Sequence, residues 1–332
     1  MKKGFEFENV YISQASAIVG KKESEGPLGK RFDASEKDEY FGCKNFEEAE
    51  SEMVRRNINL LLAKAQKSPD EIEMLFGGDL INQCIATSYG IKDLKMPYVG
   101  LYGACSTIIE ALICSSCFIE CGFINNAISV ASSHFCSAER QYRFPLEYGS
   151  TRTPTSQNKV TGCGAFLLTN DKTNLRIKNA TIGRIVDKGI TDANNMGAAM
   201  ACAAVDTIER FFENSNLKTD DFDYIITGDL GFEGHSIAID MFNMDNFEMN
   251  TKFIDCGTLI YDTNKQDTHS GGSGCGCIAS VLSGHFIKKF FEGNIRNILA
   301  IGTGALLNPD SVFQKKSIPS VAHAVHLTWE EL

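Results

Sequence analysis

Cys105 is the residue whose surroundings most invite chemistry. It stands in Gly103-Ala104-Cys105-Ser106-Thr107, after the short stretch Tyr98–Tyr102 and before an almost wholly apolar segment from Ile108. That order predicts a strand, a tight turn and a helix, with the cysteine at the helix N-terminus. Free N–H groups and the helix dipole favour an anion there, so such a turn lowers a thiol pKa or binds a carboxylate. A small side chain packed into a crowded turn is the alternative. A second Gly-rich turn, Gly271 to Gly276 with Gly272 and Ser273 inside it, offers a backbone nest without bulky side chains. His134 ends the predicted strand NNAISVASS, at the same crest as Cys105, and is either a ligand contact or a satisfied core histidine. Asp79 and Asp229 both stand in Gly-Asp-Leu. Asp79 reads equally as a pocket residue or a helix cap, and Asp229 reads as a cap.

Other groups point less clearly to function. Cys114, Cys117 and Cys121 share one face of the apolar helix, where core packing explains them better than a metal site, which needs a turn and a fourth ligand. Arg140 and Arg143 are expected to pair with Glu139 and Glu147 rather than cover a pocket mouth. The GSGCG string lacks the spacing and the acidic residue of a dinucleotide fingerprint.

An internal repeat supplies the elements that must position these residues. SPDEIEMLFGGDL, ending at Leu80, matches KTDDFDYIITGDL, ending at Leu230, at an offset of 150 residues. Gly103–Ser106, an apolar helix, Gly122 and a strand are matched in order by Gly274–Cys277, a helix, Gly293 and the strand RNILAIGTG. The strands near Val10 and Ile177 open the two halves. Three pairs in one order predict a duplicated α/β unit, divided into residues 1–170 and 171–332. Residues 135–160 form a connection long enough to suggest a functional role.

Composition narrows the classes. A net charge of −10 argues against sequence-independent nucleic-acid binding. No apolar run reaches the roughly 18–20 residues of a membrane span, and MKKGFEFENV lacks the core of a signal peptide. Twelve cysteines without a secretory signal read as free thiols. A cytoplasmic protein, or one held at a membrane by partners, is expected.

The GACST turn within two β/α halves resembles the nucleophile turn of the thiolase and ketoacyl-synthase superfamily. The resemblance narrows at EGPLG (25–29), GGDLINQ (77–83), SSH and AERQYRFPLEYG (132–149), GRIVDKGITD (183–192), GGSGCGC (271–277), GTGALLNP (302–309) and QKKSIPSVAH (314–323). Together these closely resemble the stage V sporulation protein AD family of spore-forming Firmicutes, along nearly the whole chain. The resemblance implies an α/β fold of duplicated βαβαβ halves in a five-layer αβαβα sandwich. It implies non-catalytic binding of dipicolinic acid (pyridine-2,6-dicarboxylate), alone or with calcium, for uptake into the forespore. The expected partners are membrane subunits of that apparatus at the forespore or spore inner membrane, with no cofactor and no metal of the protein's own. Asp79 and Cys105, and with them Ser106 and His134, match the family's pocket motifs. Gly272 and Ser273 are expected to grip the second ligand carboxylate, and NNAISVASS is the strand expected to pair in a homodimer.

The rival reading is an acyltransferase or condensing enzyme using Cys105. Such enzymes set two polar partners, His-Asn or His-His, beside the thiolate. Asp229 and Gly272-Ser273-Gly274 stand in those places, and His235 and His269 are off register. A carboxylate repels a developing oxyanion, so the triad reads as broken. A scaffold with a vestigial pocket is the third reading.

Overall fold

The computed structural model describes residues 4–142, 152–249 and 252–331. Two sets of five strands carry the fold. The first comprises β1 (Tyr11–Val19), β2 (Met74–Asp79), β3 (Tyr98–Gly100), β4 (Asn126–Ser133) and β5 (Gly162–Thr169). The second comprises β6 (Leu175–Thr181), β7 (Tyr224–Thr227), β8 (Phe253–Asp255), β9 (Asn297–Ala305) and β10 (Ser320–Trp329). Across the sheet the order is β3-β2-β4-β5-β1 in the first set and β8-β7-β9-β10-β6 in the second. Both are thus third, second, fourth, fifth, first. The pairing senses repeat too: β2 runs parallel to β3 and β4, and β5 antiparallel to β4 and β1. The second set copies this, and Tyr11 pairing with Arg176 joins the two.

Helices α1 (Phe46–Ala65) and α2 (Ile85–Ile91) cover the outer face of the first set. The central helix α3 (Thr107–Glu120) packs on β2 and β4 on one side and on β9 and β10 on the other. Helices α5 (Met196–Asn214) and α6 (Gly231–Met244) cover the outer face of the second set, α7 (Cys275–Val281) shares the central layer, and α4 (Phe135–Tyr142) caps the crest. The result is the five-layer thiolase-like sandwich. Strands covered on both faces need no polar side, which is why every residue of β5 is buried. A helix between two sheets likewise turns apolar on nearly all faces, as TIIEALICSSCFIE does in α3. Cys114 and Cys117 pack half-buried along it, and burial pushes the Cys114 thiol up to about 11.

The expected dimer strand is corrected by the register. NNAISVASS forms β4, hydrogen-bonded to β2 on one side and β5 on the other, so it has no edge to offer. The open edge of the first set is β3, where Val99 and Gly100 are exposed.

Two carboxyls are buried between α1 and the sheet. Glu50 accepts hydrogen bonds from Ser132 Oγ (2.9 Å) and Ser137 Oγ (2.7 Å). Burial, then repulsion from Asp79, pushes its pKa up to about 8. The folded chain therefore holds this proton more tightly than the unfolded chain, and stability falls as pH rises from the ordinary carboxylate range through about 8. Melting followed from pH 6 to pH 9 should show a falling midpoint. Glu50→Gln, which copies the protonated form, should flatten the fall and melt higher than wild type at pH 9. An identical slope in the variant would contradict this assignment.

Candidate functional site

The turn that ends at α3 is held by its own hydroxyls. Ala104 has a left-handed backbone (φ 51°), a conformation that costs a non-glycine residue roughly 1–2 kcal/mol. Ser106 Oγ donates to Gly103 O (2.7 Å) and Thr107 Oγ1 to Ala104 O (2.6 Å), and Gly103 N–H donates back to Thr107 Oγ1 (3.1 Å). Cys275 Sγ, from the other half, also donates to Ala104 O (2.9 Å). Gly304 on β9 lies so close that a Cβ there would stand 2.2 Å from Gly103 O. Ser106 is therefore fully buried and committed to the turn, not aimed at a ligand.

Cys105 is buried and faces the second half. The charged groups nearest in effect to its thiol are the Asp229 carboxyl and the Lys159 ammonium. Burial, then the Asp229 charge, pushes the thiol well above its ordinary pKa, and the Lys159 ammonium offsets this only in part. The expected activation by the helix N-terminus is overridden by desolvation and a neighbouring acid.

Asp229 does not cap a helix. Its Oδ1 accepts from Thr303 Oγ1 (2.6 Å), and its Oδ2 from Gly274 N–H (3.1 Å). The cap of α6 is Asp255, which accepts from Leu230 N–H (2.9 Å), Gly231 N–H (3.0 Å), Gly257 N–H (2.9 Å) and Thr227 Oγ1 (2.7 Å). Asp79 is the cap of its own half, accepting from Ile81 N–H (2.9 Å), Thr87 N–H (2.8 Å) and Thr87 Oγ1 (2.7 Å). It is fully buried with its oxygens spent on those donors, so it is not a pocket residue. The repeat partners have diverged because α6 begins two residues after Asp229, whereas residues 80–84 separate Asp79 from α2.

Lys159 and Gln157, from the long connection, are the residues that the sequence did not single out. Residues 158–159 pair in parallel with Gly272–Ser273. Lys159 is 5% exposed, and its Nζ donates to Ser273 Oγ (2.6 Å). Gln157 Nε2 donates to the carbonyls of Asp229 and Gly272, leaving its buried Oε1 without a partner. Lys159 and Gln157 line a cavity of about 340 Å³, which Glu139, Tyr142 and Asp192 also line. Ser273, Gly272 and Cys105 thus gather behind one buried ammonium. The available signal was a lone lysine between a long loop and an apolar strand, in Asn158-Lys159-Val160.

His134 lies elsewhere. Its Nε2 bonds to Glu39 O (2.8 Å), its Nδ1 accepts from Cys136 N–H (3.2 Å), and its ring stacks on Phe46. Burial holds its pKa down, and it lines a separate cavity of about 120 Å³ with Lys22 and Glu23. The other five histidines have neighbours of their own, and none is hydrogen-bonded to Cys105. His235 bonds to Phe253 O (3.1 Å) and His269 pairs with Asp267 (3.2 Å). His323 accepts from Gly183 N–H, His326 lies between Asn179 and Asn297, and His285 packs edge-on to Phe286. Arg140 pairs with Glu47 (3.1 Å) across the crest, a partner the sequence did not suggest. Arg143 and Glu147 lie outside the described residues. Among the described residues no group of three or more His, Cys, Asp or Glu is placed to hold a metal ion.

Residues 2–328 match the family described as stage V sporulation protein AD (SpoVAD). The chain is 39% identical to stage V sporulation protein AD of Bacillus subtilis (strain 168), over 98% of this chain and 96% of that one. Its structure is similar to 3-oxoacyl-[acyl-carrier-protein] synthase III from Aquifex aeolicus VF5, with a TM-score of 0.60 at 14% identity over 96% and 100% of the chains. Cerulenin-bound OleA of Xanthomonas campestris gives a TM-score of 0.61 at 13% identity over 98% of each chain. The two structural likenesses establish the shared thiolase-like fold.

A buried, protonated thiol should be a poor nucleophile. With iodoacetamide at pH 8, Cys121, which is exposed, should be alkylated in the native protein, and Cys105 only after denaturation. Peptide mapping reads both. Labelling of native Cys105 as fast as Cys121 would contradict the geometry described.

Proposed function

The chain belongs to the stage V sporulation protein AD family, and from that membership and the lysine-floored cavity we propose that it binds dipicolinic acid without turning it over, for uptake into the forespore. The family's role is in sporulation. The observation that carries the ligand class is Lys159, a buried ammonium facing a cavity of about 340 Å³. An ammonium is rarely buried without an anion to meet it, and that volume lies in the range of small-molecule pockets. One ligand carboxylate accepts from Lys159 Nζ beside Ser273. The flat ring lies toward Tyr142.

Glu139 and Asp192 line the same cavity and bear on the second carboxylate. A free carboxylate is repelled there, whereas one carrying calcium is attracted, because hard cations take oxygen ligands. The chelate is therefore the preferred form, with the cation arriving on the ligand. Among the described residues no helix is long and apolar enough to cross a membrane, so attachment at the spore inner membrane runs through membrane subunits. A second copy is proposed to pair at β3, beside the exposed Val99 and Tyr102.

The protonated Cys105 and its acidic neighbour favour binding over acyl transfer. Calorimetry should detect dipicolinate binding that strengthens with equimolar calcium. Lys159→Ala should weaken it by about 10–150-fold, the worth of one charge-assisted hydrogen bond. Unchanged affinity in Lys159→Ala would move the site elsewhere. Acetyl-CoA turnover lost in Cys105→Ala would favour the enzyme instead.

A further inference from the structure

We propose that Tyr142 sets the size of ligand the site accepts, because its ring stands between the lysine-floored cavity and a second cavity. This deepens the functional reading above and rests on it.

The second cavity, of about 310 Å³, is lined by Asn82, Gln83, Tyr102, Gln141 and Asn308 among others. It shares three walls with the first: Tyr142, Leu307 and Pro309. Leu307 and Pro309 lie on the chain that leaves β9, whereas Tyr142 ends α4 and comes in from the opposite side. None of the described residues lining the second cavity is charged, so it suits an uncharged extension of a ligand rather than a second anion.

Tyr142 is fixed at both ends. Its ring packs against two apolar clusters, the central one around α3 and the outer one under α5. Its hydroxyl donates to Leu80 O (2.5 Å) and, with that proton spent, accepts from the Tyr102 hydroxyl (2.7 Å). The preceding residue grips the same loop. Gln141 Nε2 donates to Leu80 O (3.2 Å) and Asn82 Oδ1 (3.0 Å), and its Oε1 accepts from Asn82 N–H (3.0 Å). That loop needs holding, since Gln83 and Cys84 both have left-handed backbones (φ 56° and 52°), which only glycine adopts freely. Turning the ring aside breaks both hydroxyl bonds and lifts it off two cores, so it acts as a fixed wall.

The bound ligand meets that wall at one atom. With one carboxylate at Lys159 and the other toward Glu139 and Asp192, the two flank the ring nitrogen. The ring carbon opposite the nitrogen then points toward Tyr142, and a substituent there runs into the tyrosine ring.

Calorimetry with equimolar calcium tests the wall, using dipicolinate and 4-phenylpyridine-2,6-dicarboxylate, whose second ring projects from that carbon. Wild type should bind the phenyl analogue about 10–100-fold more weakly than dipicolinate, the effect of forcing a group into filled space. Tyr142→Ala, which opens one cavity into the other, should bind the two about equally. Tyr142→Phe loses the bonds to Leu80 and Tyr102 but keeps the ring, so it should still reject the analogue. If Tyr142→Phe admits it as Tyr142→Ala does, the loop and not the ring sets the size, and the wall is overturned. Wild type that binds both equally, or Tyr142→Ala that still rejects the analogue, would overturn it too. Each of these leaves the ligand reading standing where wild type binds dipicolinate, and no dipicolinate binding by wild type would overturn both. Tyr142→Val gives the same comparison where Tyr142→Ala does not fold.

Discussion

The crest of this molecule holds one ammonium that is almost wholly buried. Lys159 is fixed by Ser273 through the pairing of residues 158–159 with Gly272–Ser273, so the long connection and the second half's Gly-rich turn meet at its side chain. Behind it stand Asp229 and Cys105, and in front a cavity. Burying that charge costs several kcal/mol unless anions surround it. The proposed ligand carboxylate supplies one.

The two halves show how a repeat can keep a fold and divide its labour. Their strand orders and pairing senses are the same, yet the matched aspartates do different work. Asp79 satisfies the donors at the start of α2 and is sealed from any ligand. In the second half Asp255 takes over that duty, which frees Asp229 to hold the Gly274 turn against Cys105. A condensing enzyme needs a thiolate at this turn, with donors facing the oxyanion. Here the neighbouring side chain is an acid, and His235 and His269 are bonded elsewhere.

Much of the architecture was legible from the sequence, because buried strands and a helix between two sheets leave long apolar runs at fixed spacing. The paired Gly-Asp-Leu segments located β2 and β7, and the GACST turn located the start of α3. The pocket was less legible. Cys105, Gly272 and Ser273 stand out in the sequence because turns of small residues mark close approach, and the structure places Ser273 on Lys159 Nζ with all three outside the cavity lining. Ser106, His134 and Asp79 shared the same turns and crest, but Ser106 and Asp79 are satisfied within eight residues and His134 by Cys136 N–H and the distant Glu39 carbonyl, which motif order alone does not reveal. Lys159 went unnoticed because its meaning depends on a partner 114 residues away. The strand proposed for pairing with a second copy failed for a related reason: an apolar β4 looks alike at an edge or between two neighbours.

A crystal structure of the protein soaked with calcium dipicolinate bears most directly on the central claim. Density for the flat ring should fill the cavity, with one carboxylate oxygen within about 2.7–2.9 Å of Lys159 Nζ. The calcium should lie on the side of Glu139 and Asp192. Ligand density in another cavity, with Lys159 still bonded only to Ser273, would contradict it.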